Sequence, residues 1–464
     1  MKQGSYDCAI VGGGPAGLTA AHLLARAGAS VVLLDEQETL GGQYFKQRRG
    51  VVRRRYGDYR QEGSSLIAAV GAAGVQCLAG TLVWGAEDGA LLTSRLCDGA
   101  IGHLTARAVL IATGASEECM PFPGWTLPGV CTPGFALQAA HVDRVRIGRR
   151  VLVAGTGPFL LPAACALLDV GARLAGVLEV NTPYRLARSA LPAALHPARL
   201  VELAGYMARL RLHRVPIRQG WRVLEASGQG RLEQVTIGPV ADSAVAQPEE
   251  LAVDALCVGY GFRPSAELAQ VLGCACIVDP ASGHLVPKTD RWGRTSTKLV
   301  YVAGEAMGIA GVHAAKARGI LAAAAICEDL TLPCPAPREV RAAAWTARRV
   351  IAFARTTNQL YPFPTSLYSA IPDHATVCRC ECVTAGEIRE AAATGGQDIH
   401  AIKAATRAGM GLCQGRQCGR AVAALGAASR GVRATPSEWF RPRLPLKPIP
   451  YPAFEEDSGV QAAR

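Results

Sequence analysis

Apolar residues along the chain gather into short runs broken by glycine. Residues 6–11 (YDCAIV) read as a strand, 15–27 as an Ala/Leu-rich helix and 30–34 (SVVLL) as a second strand. The order predicts a βαβ unit with a glycine turn at its first corner. The order returns at 150–180, as strand RVLVA, turn GTGP, helix LLPAACALLDVG and strand LAGVLEV. Two such units predict two related dinucleotide-binding domains. Further strand patterns lie at 107–112, 254–258 and 299–303, with an Ala-rich helix at 312–326. Pro333, Pro335 and Pro337 mark a linker, and a helix is expected over 338–355. A small cysteine-bearing module follows at 376–430. The tail (Pro442, Pro445, Pro448, Pro450, Pro452) has neither period and is expected to lie extended over another surface.

This pattern divides the chain into a first dinucleotide domain in two parts (1–120 and 265–332) and a second at 121–264. A linker and helix (333–375), the cysteine module (376–430) and the Pro-rich tail (431–464) complete it.

Composition narrows the class. With 464 residues, half of them apolar and 19% charged, the chain is neither disordered nor fibrous. Its 16 Cys are scattered until five crowd into 378–418, which fits a reduced, cytosolic setting better than a disulfide scaffold. The net charge of +12 comes mostly from Arg and is accompanied by no nucleic-acid motif, so it points to an acidic partner or an anionic cofactor. The densest basic run (Lys46, Arg48, Arg49, Arg53, Arg54, Arg55) is either a solvated loop or a docking patch. The apolar stretch 8–25 carries four glycines. The stretch 299–326 is broken by Glu305, His313, Lys316 and Arg318, so neither predicts a membrane span. The chain is expected to be soluble or at most peripheral.

Gly12-Gly13-Gly14-Pro15-Ala16-Gly17 follows a strand and precedes a helix, as G-x-G-x-x-G requires. Gly12 allows the tight turn, Gly14 lets the backbone approach a pyrophosphate, and Gly17 lets helix and strand pack. The helix N-terminus, with Pro15 and Ala16, offers free N–H groups to phosphates. Asp35 ends the second strand as the expected ribose acid, with Glu36 as fallback. Gly41-Gly42-Gln43, Ala112-Thr113-Gly114 and Val302-Ala303-Gly304-Glu305 complete a set that resembles the flavoproteins with two dinucleotide-binding domains, the group of glutathione and thioredoxin reductases. That resemblance implies FAD, with Thr113 and Gly114 near the flavin and the acid after Gly304 on the ribityl chain. Here that acid is Glu305, where the group usually has Asp. An empty, purely structural fold is the other reading.

The second turn, Gly155-Thr156-Gly157-Pro158-Phe159-Leu160, has Leu in place of the third glycine, and Pro162 follows just inside the helix. Both are expected to misplace the N–H groups that hold a pyrophosphate, so NAD(P) is disfavoured, with a structural relic or another occupant preferred. Neither Cys119 nor Cys131 has a C-x-x-C or C-x4-C partner, and Cys274-Ala275-Cys276 is too tight, so no redox disulfide is expected.

Cys378, Cys380, Cys413 and Cys418 are spaced C-x-C, then 32 residues, then C-x4-C, on two loops before helices. Four thiolates at helix starts suit a [2Fe–2S] cluster, with Arg379 or Arg416 offsetting the charge. A zinc site is the competing reading, disfavoured by the C-x-C pair. Cys382 is a spare thiol. Thr384 and Glu387 predict a capping box, and Gly395-Gly396 the helix end.

VCRCECVTAGEI with KAATRAGMGLCQGRQC resembles the ferredoxin module of the bacterioferritin-associated (BFD) type. The same module closes the α subunits of heteromeric bacterial amino-acid and opine dehydrogenases of the opine oxidase, D-hydroxyproline or proline dehydrogenase, and hydrogen cyanide synthase types. The GGQ segment, the stretch from Pro123 to Gly134, the degenerate second turn and the segment from Gly259 to Pro264 extend the likeness over nearly the whole chain. It implies an α/β fold: two Rossmann-like domains of the glutathione/thioredoxin reductase type plus a small helical BFD-like [2Fe–2S] domain. It further implies that a D-amino-acid-oxidase-like flavoprotein β subunit oxidises the substrate, in some members beside a small γ subunit. The α chain then passes electrons to a quinone or respiratory-chain acceptor, and FMN sits at a subunit interface in some relatives. The complex could lie peripherally on a membrane. No general base or nucleophile triad is evident, so no catalytic residue is assigned to this chain. A self-contained NAD(P)H-dependent reductase and a scaffold without FAD are the alternatives.

Overall fold

The computed structural model describes residues 5–47, 59–87, 89–182, 197–240, 247–394, 398–429, 431, 432, 434 and 439–449. The basic run beyond Lys46, the Gly395-Gly396 helix end, Pro450 and Pro452 lie outside these. The chain forms two compact units, one of residues 1–116, 263–354 and 441–464, the other of 117–262 and 355–440.

The first unit is built on a seven-stranded sheet. Strand β1 (Ser5–Val11), helix α1 (Pro15–Arg26) and strand β2 (Val31–Asp35) form the expected βαβ unit. The parallel order runs β3 (Gln76–Ala79), β2, β1, β6 (Ile101–Ile111), and β5 (Ala90–Arg95) and β4 (Thr81–Glu87) add antiparallel. On its edge away from β1, long β6 serves two neighbours, with its first half pairing β5 and its last residues pairing Val300–Val302 in parallel. Every residue of β2 is buried, as a parallel strand covered on both faces requires. The hairpin β4–β5 carries no strict alternation, and the apolar pattern does not single it out. Helix Val312–Asp329 packs on α1. The approach is close because Gly319 lies against Ala16, and a Cβ there would come within 2.5 Å of the Ala16 carbonyl oxygen.

The tail returns to this unit. Leu446 is buried beside Val83 and Leu91, its N–H donates to the Trp84 carbonyl (2.7 Å), and Lys447 pairs with Glu36.

The second unit holds a five-stranded parallel sheet ordered Ile217–Gln219, Arg173–Glu179, Arg150–Gly155, Ala255–Gly259, Val130–Cys131. A three-stranded antiparallel meander (Trp221–Ser227, Gln234–Pro239, Glu249–Ala252) flanks it. Its core is continuous with that of the cysteine module: Phe122, Trp125, Leu256, Leu367, Val377, Ile388 and Val422 form one cluster. The Trp125 indole N–H donates to the Thr376 carbonyl (2.6 Å).

The expected disturbance by Pro162 does not arise. The helix starts at Leu160, so Pro162 sits in its first turn, where an N–H has no intrahelical acceptor to lose. Leu160 is buried in the core between helix and sheet.

Candidate functional site

The glycine turn of the first unit is shaped by contacts that admit no side chain. Gly12 takes φ +111°, a region that favours glycine, and a Cβ there would overlap the Ala112 carbonyl. A Cβ on Gly17 would overlap the Gly12 carbonyl, so helix and strand meet there without a side chain between them. Gly14 is different, because a Cβ there would meet nothing nearer than Gly42 Cα at 3.9 Å. The turn is therefore open at the place where a pyrophosphate approaches. Gly14 N-caps α1 with no side-chain cap, Pro15 opens the helix, and no acid stands in the first turn. The uncapped N–H groups and the dipole suit an anion.

The other expected residues gather round this turn. A Cβ on Gly42 would lie 2.9 Å from Gly14 Cα, and one on Gly304 would lie 2.9 Å from Ala16 Cβ. Gln43 is exposed at the rim. Thr113 Oγ1 donates to the Ser265 carbonyl (2.8 Å), and the Ser265 N–H donates to the Gly114 carbonyl (3.0 Å). Asp35 is buried, and its carboxylate accepts N–H bonds from Gly13 and Gln37, both 2.7 Å. Burial raises its pKa, and each oxygen keeps acceptor capacity for a ribose hydroxyl. Glu36 is exposed and paired with Lys447. Glu305 is buried deeply enough that desolvation raises its pKa, while the Gly311 N–H (3.1 Å) and the Arg318 charge pull it back.

Arg318 was not singled out for a role by the pattern. Its guanidinium is buried and donates through Nη1 to the carbonyls of Gly304 (2.8 Å) and Gly308 (2.5 Å). It fixes the turn that carries Glu305. The signal available in the sequence was a lone Arg in an Ala-rich buried helix, fourteen residues beyond Gly304.

The second unit's turn differs in chemistry. Glu179 accepts four hydrogen bonds: from Thr156 Oγ1 (2.9 Å), Gly157 N (2.8 Å), Asn181 N (2.9 Å) and Asn181 Nδ2 (2.8 Å). One oxygen of the acid that would meet a ribose is thus taken up by three of this chain's own donors, and the other accepts one. Phe159 packs edge-to-face on Phe262 (4.9 Å). Tyr260, directly after strand Ala255–Gly259, packs on Phe363 (6.0 Å), which stacks on Tyr368 (5.5 Å). Burial and the nearby Glu179 charge push the Tyr361 pKa up to about 12. Segment 361–368 thus packs beside the C-terminal end of the sheet, the end at which dinucleotides bind in such folds.

In the cysteine module, the hairpin Thr376–Cys378/Val383–Thr384 and the loop before helix Gly419–Ala428 bring four sulfurs together. Cys418 hydrogen-bonds Cys378 and Cys413, and Cys413 also bonds Cys380. Cys418, with the N–H groups of Gly409, Glu381 and Cys380, lowers the Cys378 pKa to about 6. Cys418, with the N–H groups of Gln417 and Gly415, lowers that of Cys413 to about 5. Cys380 and Cys418 are shifted the other way, so the contacts favour the thiolate at Cys378 and Cys413 and the thiol at their partners. The four sulfurs form one chain of contacts, Cys378 to Cys418 to Cys413 to Cys380, and among the described residues no three His, Cys, Asp or Glu stand close enough to hold a single ion. Cys382 is exposed with φ +56°. Arg416 Nη1 donates to the Cys413 carbonyl (3.3 Å), and Arg379 lies over the Trp125 ring (5.6 Å).

The capping box forms as expected. The Glu387 carboxylate accepts from Thr384 N–H (2.7 Å) and Oγ1, while Thr384 Oγ1 faces the Glu387 N–H (3.4 Å). Thr384→Ala is expected to cost about 1 kcal/mol, read as a lower urea midpoint for loss of the module's helical signal. An unchanged midpoint would contradict the cap.

No helix among the described residues is long and apolar enough to cross a membrane. Residues 6–319 match the family described as pyridine nucleotide-disulphide oxidoreductase, and residues 376–426 match the BFD-like [2Fe–2S] binding domain. The chain is 35% identical to the HcnB component of hydrogen cyanide synthase from Pseudomonas aeruginosa, over 98% of this chain and 99% of that one. It is 33% identical to an opine oxidase subunit of Agrobacterium tumefaciens, over 96% and 90%. Among solved structures, L-proline dehydrogenase from P. horikoshii superposes with a TM-score of 0.70 at 22% identity, over 97% of this chain and 80% of that one. Thioredoxin reductase from T. acidophilum gives 0.54 at 18%, over 70% and 99%, and these two likenesses establish the Rossmann-type fold. The glycine cradle fits FAD, and the four gathered sulfurs fit a [2Fe–2S] cluster. The chain belongs to the pyridine nucleotide-disulphide oxidoreductase family, alongside HcnB and its opine oxidase counterpart, as a FAD-dependent oxidoreductase with a BFD-like [2Fe–2S] domain.

Proposed function

We infer that this chain is the electron-transferring α subunit of a heteromeric dehydrogenase or oxidase acting on an amino or imino acid of the D-hydroxyproline, proline, opine or glycine type. The relatives are named as subunits of hydrogen cyanide synthase and opine oxidase, which supports a partner β subunit that oxidises the substrate. FAD takes up electrons in pairs and a [2Fe–2S] cluster one at a time, so the two suit a relay to a quinone or respiratory-chain acceptor.

The chain's own residues have holding roles in this reading. Gly12, Gly14, Pro15, Ala16 and Gly17 shape the phosphate cradle, Asp35 takes the ribose with Glu36 beside it, and Gly42 and Gln43 line the rim. Thr113, Gly114, Gly304 and Glu305 stand on the flavin side. Cys378, Cys380, Cys413 and Cys418 hold the cluster.

One observation carries the assignment of electrons to a partner rather than to nicotinamide. The second dinucleotide turn has one oxygen of its acid held by three donors from Thr156 and Asn181 and the other by Gly157, and segment 361–368 packs beside its strand ends through Phe363 and Tyr361. The feature favouring a nicotinamide reductase is the backbone of that turn, where Gly155 and Gly157 keep positive φ (+132° and +101°). Anaerobic mixing with NADH separates the two readings. The flavin absorbance is expected to stay unbleached, whereas the complex with the co-expressed β subunit bleaches on addition of proline, hydroxyproline, an opine or glycine. Rapid bleaching by NADH, or full-rate turnover of an amine by the chain alone, would overturn the proposal.

A further inference from the structure

The cysteine module leaves one edge of its sulfur cluster open to solvent. Cys378 and Cys418 are buried, but Cys380 is exposed. The loop leading into Cys413 presses on it, since a Cβ on Gly411 would overlap the Cys380 side chain. The same loop presents two large apolar side chains outward, with Leu412 at 77% exposure and Met410 at 42%. A lone exposed Leu needs no explanation. Two such side chains beside a cluster ligand, on a loop fixed by glycines and by the pair of Arg407 with Glu381 (2.8 Å), make a built apolar centre. The rim is basic. Arg379 is exposed between two of the cysteines, Arg407 is 68% exposed and pairs with Glu381, and Arg416 donates to the Cys413 carbonyl.

We propose that this edge is the docking surface for a one-electron carrier protein whose redox centre is ringed by acidic side chains. An apolar centre with a charged rim gives a small, short-lived interface whose encounter is steered by opposite charge. One electron leaves the reduced cluster and one ferric or equivalent centre of the carrier is reduced, with no bond made and no proton moved. This deepens the relay reading and rests on it, because the cluster must be an exit for electrons.

Cytochrome c and the same protein succinylated on its lysines make a matched pair of probes, alike in haem and opposite in charge. The full chain, with its cluster intact, is expected to bind the succinylated form at least about tenfold more tightly at low salt, with the preference lost at high salt. Leu412→Asp is expected to weaken that binding about tenfold, and Arg379→Gln with Arg407→Gln to flatten the salt dependence. All three positions are exposed, and because Arg407→Gln also removes the pair with Glu381, retention of the cluster's visible spectrum in each variant shows that the loop is intact. Reoxidation of the dithionite-reduced cluster by the succinylated probe should slow in Leu412→Asp, while reoxidation by ferricyanide or a water-soluble quinone stays unchanged. Equal binding of both cytochromes, or unaltered binding by Leu412→Asp, overturns the docking surface and leaves the relay standing. A cluster that no acceptor reoxidises, ferricyanide included, overturns the relay itself.

Discussion

Replacing Cys418 by serine is expected to strip the iron–sulfur cluster and leave the flavin in place. Cys418 is the hub of the sulfur group, because it bonds both Cys378 and Cys413 and is only 1% exposed. A serine hydroxyl is a harder and much less acidic ligand, and it cannot replace a thiolate that two other sulfurs enclose. Iron content should fall from about two per chain to near zero, with loss of the visible and paramagnetic signals of the cluster. FAD content should be unaffected, because the glycine cradle lies in the other unit. Cys382→Ser is the control: that thiol is exposed, and its iron content is expected to match the parent's. Full iron retention in Cys418→Ser, or equal loss in Cys382→Ser, would show the ligand set to be wrong.

How much of this was legible beforehand depended on the range of the contact. The βαβ units, the capping box and the cysteine pairs are legible in a sequence because each is marked by residue types at fixed spacing along one short stretch of chain. The bond from Thr156 to Glu179 was not legible, because the two stand 23 positions apart and only the fold brings the turn to the strand end. The consequence of Pro162 was misread for a related reason. A proline harms a helix according to its distance from the helix start, and boundaries are the least certain part of a pattern reading. The shared core of the module and the second dinucleotide domain was also hidden. Trp125 reaches Thr376 across 251 positions, and nothing in either segment announces the other.

Arg318 belongs with those hidden contacts, and its removal has the largest expected effect in the first unit. Arg318→Met keeps the bulk of the side chain but deletes a buried cation that holds two carbonyls and faces a buried carboxyl. The carbonyls of Gly304 and Gly308 lose their donor, and Glu305 loses the charge that opposes its desolvation. Together these are expected to destabilise the unit by roughly 3–5 kcal/mol and to weaken FAD binding at least tenfold, about 1.4 kcal/mol. The pH dependence identifies the cause. The Glu305 carboxyl already titrates above its ordinary range because it is buried, and without Arg318 it rises further. A group with a raised folded pKa binds its proton more tightly when folded. Its contribution is therefore present below the ordinary glutamate value, about 4.3, and is lost as pH climbs through the folded pKa. The melting temperature of Arg318→Met should consequently fall more steeply between mildly acid and neutral pH than that of the parent. Adding Glu305→Gln removes the charge that must be desolvated, so the double variant should lose this extra slope and recover part of the stability at neutral pH. If the single variant melts with the parent's pH profile, or the double variant keeps the steep slope, Arg318 is not what makes a charged Glu305 tolerable beneath the flavin site.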